Sequence, residues 1–117
     1  MILTLEVHAP RGAKPGAQGR HAFGEEGGTI GRLSGSSLVL PHSSVSGCHA
    51  RISYRNAVFY IEDTSRNGIG VNSADNRLVP GRQYPLKSGD LILIDPYELH
   101  VSIGGGAAEM AQNPLVD

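Results

Sequence analysis

The stretch I-E-D-T-S-R-N-G-I-G-V-N, from Ile61 to Asn72, begins and ends like β-strand but has a polar centre. Its middle holds an acid, two hydroxyl side chains, an arginine, an asparagine and a glycine. The Asn67-Gly68 pair alone would be enough for a tight turn between two strands. The other polar side chains therefore indicate that this turn does more than reverse the chain.

Short segments of β pattern extend outward from this turn in both directions. Apolar residues occupy every second position in Ile2–His8 and in Tyr97–Ile103, the period of a half-buried strand. Turn residues separate the other predicted strands, which are Thr29–Arg32, Ser37–Leu40, His49–Tyr54, Val58–Glu62, Ile69–Asn72, Gln83–Leu86 and Leu91–Ile94. The pattern predicts an all-β sandwich of two antiparallel sheets.

Two segments do not fit the strand pattern. The basic stretch His8–His21 is predicted to be a solvated loop. Residues 104–117 open with G-G-G-A-A and are predicted to form a flexible tail or the start of a linker, with a short helix around Ala107–Gln112. The chain is therefore expected to hold one domain, residues 1–103.

Composition narrows the classes of function. The 117 residues include 10 Lys and Arg against 11 Asp and Glu, for a net charge of -1. Bulk attraction to nucleic acid or to an acidic membrane is therefore disfavoured. The single Cys48 excludes an internal disulfide and fits a reducing compartment. With no apolar run long enough to span a membrane and no signal peptide, we expect a soluble, cytoplasmic protein without membrane insertion.

Three polar clusters lie where predicted strands end: Gly31–Arg32, Ser43–His49 and Thr64–Gly68. Loops of a sandwich gather at its two ends, so these clusters can meet. An arginine, a serine hydroxyl and a polar turn would together make an anion cradle, because the planar guanidinium matches the geometry of a phosphate. Such a cradle would bind an anion rather than react with it.

Catalysis and metal binding have weaker support. Ser46 and His49 could suggest a nucleophile and a base, but no oriented acid completes a triad and no G-x-S-x-G elbow is present. The five histidines are scattered and Cys48 has no C-x-x-C partner, so no metal site is expected. The chain is predicted to be neither an enzyme nor a cofactor-binding protein.

Five motifs in order carry a family resemblance: G-R (Gly31-Arg32), S-x-x-H (Ser46–His49), D-x-S-x-N-G (Asp63–Gly68), V-N (Val71-Asn72) and G-D (Gly89-Asp90). From about Thr29 to Ile103 the chain resembles a forkhead-associated (FHA) domain. FHA domains are sandwiches of about eleven strands that bind phosphothreonine peptides through loops at one end. The resemblance therefore implies an FHA-type fold with negligible helix.

A narrower resemblance rests on F-G-E-E-G-G-T-I-G-R, L-V-L-P-H-S-S-V-S-G-C-H-A-R-I and D-P-Y-E-L-H-V. These phrases are similar to the N-terminal FHA domain of the bacterial type VI secretion scaffold. The similarity implies a bacterial cytoplasmic pathway of threonine phosphorylation. The implied partners are type VI secretion components and a phosphothreonine-containing protein, either a substrate of a Ser/Thr kinase or the kinase itself.

The FHA resemblance also implies roles for individual residues. Arg32 would grip the phosphate, Ser46 would donate its hydroxyl to a phosphate oxygen, and Asn67 would hydrogen-bond the peptide backbone. Gly47 and Arg66 complete the predicted binding set. The residues predicted to support the site are Gly31, His49, Asp63, Ser65, Gly68 and Asn72, with the His49 ring tying the Ser46 loop to a neighbouring loop.

Two departures from the family pattern leave an alternative open. Many FHA domains have arginine where this chain has Gly47, and threonine where it has Arg66, whose side chain could face the phosphate or point outward. A phosphate-independent FHA scaffold for protein assembly is the competing hypothesis.

Selectivity for threonine over serine would come from burial of one methyl group near Gly68 and Ile69, which contributes about 0.8 kcal/mol. The loops Leu33–Ser37 and Ser73–Val79 would read other side chains of the ligand.

Overall fold

The computed structural model describes residues 1–9 and 19–104. These residues form ten strands, and none of them forms a helix that could cross a membrane. The strands are β1 (Ile2–His8), β2 (Arg20–Phe23), β3 (Gly28–Gly31), β4 (Leu38–Val39), β5 (Ala50–Arg55), β6 (Val58–Asp63), β7 (Gly70–Val71), β8 (Gln83–Pro85), β9 (Leu91–Ile94) and β10 (Tyr97–Gly104).

The strands build two five-stranded sheets, in the orders β2-β1-β10-β9-β7 and β4-β3-β5-β6-β8. The predicted all-β sandwich is confirmed, with ten strands in the described residues rather than about eleven. The sheets are mostly antiparallel, as predicted, and the exception is β4, which lies parallel to β3 with Ile30 opposite Leu38. A strand of two residues shows no alternation that could have revealed its direction.

The core lies between the sheets and follows the predicted alternation. Leu3 and Leu5 of β1 are fully buried, whereas the next residue, Glu6, is exposed. β1 pairs with β10 from Ile2 opposite Gly104 to His8 opposite Glu98, so the two end strands predicted from sequence lie side by side. This pairing places the apolar faces of both strands on the same side of the sheet.

The predicted loop His8–His21 is partly wrong, because its last two residues belong to β2. β2 is an edge strand that pairs with β1, and its Phe23 packs into the core opposite Leu3. A single aromatic residue in a polar stretch produces no period-two pattern, so the sequence did not reveal this strand.

Gly104 ends β10, and the rest of the predicted tail, with the helix at Ala107–Gln112, lies outside the described residues.

The second sheet brings the three predicted polar clusters to one end. β5 is antiparallel to both β3 and β6, with Ala50 opposite Ile30 on one side and Asp63 on the other. The end of β3, the start of β5 and the end of β6 therefore lie at the same end of the sandwich. The segments 31–33, 43–49 and 64–68 emerge there, and we call them together the rim.

Core truncation should destabilise the sandwich strongly. Leu5→Ala removes a fully buried side chain between the sheets and should lower the free energy of unfolding by about 2–5 kcal/mol. Val79→Ala, at a side chain that is 56% exposed, should change it by less than about 0.5 kcal/mol. Urea denaturation of both variants checks this, and equal effects would contradict the assigned core.

Candidate functional site

The rim is built on a close approach between two backbone segments. A Cβ at Gly31 would lie 2.1 Å from the carbonyl oxygen of Gly47, so only glycine fits at position 31 without movement. Just beyond β3, the Arg32 N–H donates to the Ser46 carbonyl at 3.0 Å, and the Leu33 N–H donates to the Gly47 carbonyl at 3.3 Å. These contacts hold the segment 43–48 against the end of β3.

Arg32 presents a partly restrained cation at the rim. Its Nε donates to the Val45 carbonyl at 3.0 Å, and its side chain is exposed. Within residues 1–9 and 19–104, no carboxylate forms an ion pair with Arg32 and no protein group bonds its two terminal amino groups. The guanidinium is therefore positioned by one edge and can bind an anion with the other.

Ser46 lies next to Arg32 and retains a proton to donate. Its Oγ accepts a hydrogen bond at 3.0 Å from the backbone N–H of Arg66, so the segments 43–49 and 64–68 meet at this hydroxyl. Because that contact uses a lone pair, the hydroxyl proton remains available for an anion. The Arg66 side chain is exposed, and only its backbone takes part in this contact.

His49 joins the two loops beneath the surface. Its side chain is almost completely buried; Nδ1 accepts from the Ser46 N–H at 3.0 Å, and Nε2 lies 3.0 Å from the Gly68 carbonyl. Since Nδ1 must accept, the ring is neutral with its proton on Nε2, which donates to Gly68. Burial lowers the pKa of His49, with a smaller lowering from Arg77, against raising contributions from the Gly68 hydrogen bond and from Asp63.

Asp63 and Ser65 shape the turn that follows β6. The buried Asp63 carboxylate accepts from the Ser65 N–H at 2.8 Å and from the Ser65 hydroxyl at 2.5 Å. Ser65 Oγ in turn accepts from the Gly68 N–H at 2.7 Å. Gly68 has φ +93°, a left-handed conformation that favours glycine. The polar centre of the turn is thus a closed network that fixes its backbone.

Asn67 projects from this turn across to the neighbouring loop. Its Nδ2 donates to the Ser44 carbonyl at 2.8 Å, and its own carbonyl accepts from Arg77 Nη2. The side chain is exposed, and its Oδ1 has no partner among the described residues. Asn67 therefore bridges the two loops while keeping an acceptor and one amide proton free.

Asn72 and Ile69 lie apart from the exposed binding groups. Asn72 braces β7 against the start of β9: its Oδ1 accepts from the Leu91 N–H at 2.9 Å, and its Nδ2 donates to Asp90 at 3.2 Å. Ile69 is fully buried in the core. The expectation that a ligand methyl group lies near Gly68 and Ile69 is not tested by this burial and stays a prediction.

A pocket that was not predicted from the sequence lies beside Asn67. Its volume is about 390 Å³, and its walls include Ser44, Asn67, Gly68 and Arg77 together with the turn between β9 and β10. Arg77 belongs to the segment Ser73–Val79, which was predicted to read ligand side chains without any residue being named. A lone arginine in a loop has no periodicity that could have marked it.

The FHA domain family model matches residues 28–95, a span that contains the whole rim. The chain belongs to the FHA domain family. FHA domains are binding modules that recognise phosphothreonine peptides in Ser/Thr kinase signalling.

Solved FHA domain structures resemble this domain over most of its length. One, from work on phosphothreonine-dependent FHA interactions, is 26% identical with a TM-score of 0.69 and covers 90% of this chain and 99% of its own. Mycobacterium tuberculosis EmbR, bound to a low-affinity phosphopeptide, is also 26% identical with a TM-score of 0.69 and covers 91% of this chain but 25% of its own.

A third solved structure is the FhaA FHA domain in complex with the intracellular domain of Rv3910. It is 26% identical to this chain, with a TM-score of 0.67, and covers 86% of this chain and 99% of its own. Comparison with curated protein sequences gave no match.

The close backbone approach at Gly31 should be sensitive to one methyl group. Gly31→Ala places a Cβ against the Gly47 carbonyl and should lower the free energy of unfolding by about 1–3 kcal/mol. Gly35→Ala is the matched control, since its Cβ would meet nothing within 4 Å. Urea denaturation measures both, and a neutral Gly31→Ala would contradict the close approach.

The buried neutral His49 should make stability depend on pH. Its pKa is lowered from 6.5 in the folded protein, so the unfolded chain takes up the proton first as the pH falls. The contribution of neutral His49 to the free energy of unfolding is therefore complete above pH 6.5. It is lost progressively as the pH falls from 6.5 to the pKa of His49 in the folded protein. The free energy of unfolding, measured by urea denaturation at about pH 7.5 and about pH 5.5, should show this loss.

His49→Gln should flatten this pH dependence, because glutamine does not titrate. His100→Gln, at an exposed histidine on β10, should keep the wild-type dependence. The assignment fails if His49→Gln loses as much stability over this interval as the wild type does.

Proposed function

We propose that this chain is a phosphothreonine-peptide-binding module in a bacterial Ser/Thr phosphorylation pathway that regulates assembly of a type VI secretion system. The observation that carries the binding proposal is the Arg32 guanidinium, held by Val45 and free of any carboxylate in the described residues, beside a Ser46 hydroxyl that can still donate. Two donors of different kinds thus lie on segments whose backbones are hydrogen-bonded to each other.

The phosphate group supplies what these donors lack. Phosphorylation adds about -1.5 to -2 charges and three acceptor oxygens. The terminal amino groups of Arg32 can donate to two of these oxygens, and the Ser46 hydroxyl can donate to the third. Unphosphorylated threonine offers one hydroxyl and no charge, so it cannot replace the phosphate at this position.

Asn67 supplies the second half of the recognition. Its bond to the Ser44 carbonyl sets the amide plane, and its free Oδ1 and remaining amide proton can bind the main chain of an extended peptide. Main-chain binding is independent of ligand sequence, so it positions the peptide while the phosphate decides whether the complex forms. His49 ties the Ser46 backbone to Gly68, the residue after Asn67, and the Asp63–Ser65 bond fixes the start of the same turn.

The pathway assignment rests on sequence phrases shared with the type VI secretion scaffold. Under this proposal the partner is a phosphothreonine-containing protein, either a kinase substrate or the Ser/Thr kinase itself, together with type VI secretion components. The compartment is the bacterial cytoplasm, which agrees with the free, exposed Cys48. Under this proposal the FHA domain comprises residues 1–103.

A phosphate-independent scaffold is the second candidate, and the surroundings of Gly47 favour it. Gly47 adds no cation to the rim, and a Cβ there would lie 3.1 Å from Leu33 Cδ1. Leu33 is 58% exposed and places apolar surface beside the cradle. A partner that packs on Leu33 would not require a phosphate.

Arg32→Ala decides between the two candidates. The wild type should bind phosphothreonine peptides at roughly micromolar strength, about -8 kcal/mol. Loss of one charge-assisted contact of about 1.5–3 kcal/mol should weaken this binding by about 10- to 150-fold. Fluorescence anisotropy with labelled peptides measures the change, and urea denaturation verifies that the variant is folded.

Arg55→Ala is the matched control, because Arg55 lies at the opposite end of β5 and stacks on Tyr60. It should bind phosphopeptides like the wild type. Equal affinity of the wild type for phosphorylated and plain peptides, or full binding by Arg32→Ala, would reject the phosphate cradle in favour of the scaffold.

A further inference from the structure

Arg77, on the loop after β7, is a second restrained cation that contacts the rim from outside the predicted cradle. Its Nη2 donates to the Asn67 carbonyl, and its side chain is exposed. No ion pair neutralises it within the part of the chain that the structure describes. A Cβ at Gly68 would lie 2.2 Å from Nη2, so the glycine of the Asn67-Gly68 turn also makes room for this guanidinium.

Arg77 lines the 390 Å³ pocket next to the cradle. Ser44 and Asn67, which share a hydrogen bond, line the same pocket. Ser44 is two residues from Ser46, a separation of at most about 7 Å along the backbone. A peptide whose phosphate sits at Ser46 therefore has its neighbouring residues within reach of this pocket.

Two carboxylates share the pocket wall, Asp95 and Glu98. Both are exposed, and neither side chain has a hydrogen-bond partner among residues 1–9 and 19–104. They can turn into solvent, whereas Arg77 is held in place by Asn67. A pre-positioned donor loses less conformational entropy on binding, so the fixed guanidinium is better prepared for a ligand than the free carboxylates.

We propose that Arg77 selects phosphothreonine peptides that carry an acidic side chain near the phosphothreonine, and that this side chain enters the pocket. The proposal rests on the phosphopeptide function above and adds the sequence class of the ligand. A guanidinium binds a carboxylate through a fork that pairs Nη2 with either Nε or Nη1. The bond to Asn67 uses one of the two Nη2 hydrogens, so one such fork remains for a ligand. The charge of Arg77 also acts on His49 beneath the rim, where it adds to the effect of burial in lowering the pKa of His49.

The test uses the 117-residue chain and phosphothreonine peptides with a neutral background. One glutamate is placed at each flanking position in turn, and each peptide is compared with its glutamine isostere by fluorescence anisotropy. At one position glutamate should bind about three- to ten-fold tighter than glutamine, the range expected for a partly exposed charged contact. A lysine at that position should bind more weakly than glutamine.

Arg77→Gln should reduce the glutamate-to-glutamine preference to about one. The ratio within each variant is the readout, since it stays informative if loss of the Asn67 contact lowers the affinity for all peptides. Arg77→Glu should reverse the preference towards lysine. Arg82→Gln, which removes an exposed arginine outside the pocket, should keep the wild-type ratio.

The outcomes separate the two proposals. If the wild type binds phosphopeptides but shows no glutamate preference at any position, or if Arg77→Gln keeps the preference, the selectivity inference is wrong and the phosphopeptide function stands. A wild-type preference for lysine would assign the pocket to Asp95 and Glu98 instead. Failure of the wild type to bind any phosphothreonine peptide would overturn both proposals.

Discussion

The two hydrogen bonds of the His49 ring are the constraint on which the rim depends. One bond holds the Ser46 backbone and the other holds the Gly68 carbonyl, so a single buried imidazole spans the loops before β5 and after β6. The ring can accept on one nitrogen and donate on the other only while it is neutral. Burial favours that neutral form, so the packing of the core and the geometry of the surface site are coupled through one side chain.

The remaining polar groups of the rim extend this arrangement outward. Asp63 and Ser65 fix the turn, and the Arg66 N–H and the Asn67 amide then reach across to Ser46 and Ser44. Each buried side-chain nitrogen or oxygen among the described residues has a hydrogen-bond partner, so no buried polar side chain is left unsatisfied. The result is a rigid frame whose exposed groups, above all Arg32, still have free hydrogen-bonding capacity.

Glycine has a different physical use at each of three rim positions. Gly31 allows the backbone of β3 to approach the Gly47 carbonyl, and Gly68 provides a left-handed turn and space for Arg77. Gly47 adds no cation, and the space that a Cβ would take there lies against the exposed Leu33 side chain. The proposed phosphate cradle therefore depends on Arg32 and Ser46 more heavily than it would in a domain with a further arginine.

Much of the fold was predictable because it depends on local patterns. Period-two alternation located β1 and β10, and glycine, proline and asparagine marked the turns between the other strands. The edge strand β2 and the parallel pairing of β4 were not predictable, because both elements are too short to show alternation. Ile69, predicted to begin a strand, lies just before β7 and is fully buried in the core.

The sequence by itself determined the family and the all-β class, because ordered motifs and alternation are local properties of the chain. The same motifs marked Arg32, Ser46, His49 and Asn67 as candidate residues of the site. Only the tertiary structure decided that His49 accepts from one loop and donates to another, that Arg77 reaches Asn67, and that a pocket opens beside them. Those relations join residues far apart in the chain, and they exist only after the antiparallel pairing of β3, β5 and β6 has brought three separate loops to one end.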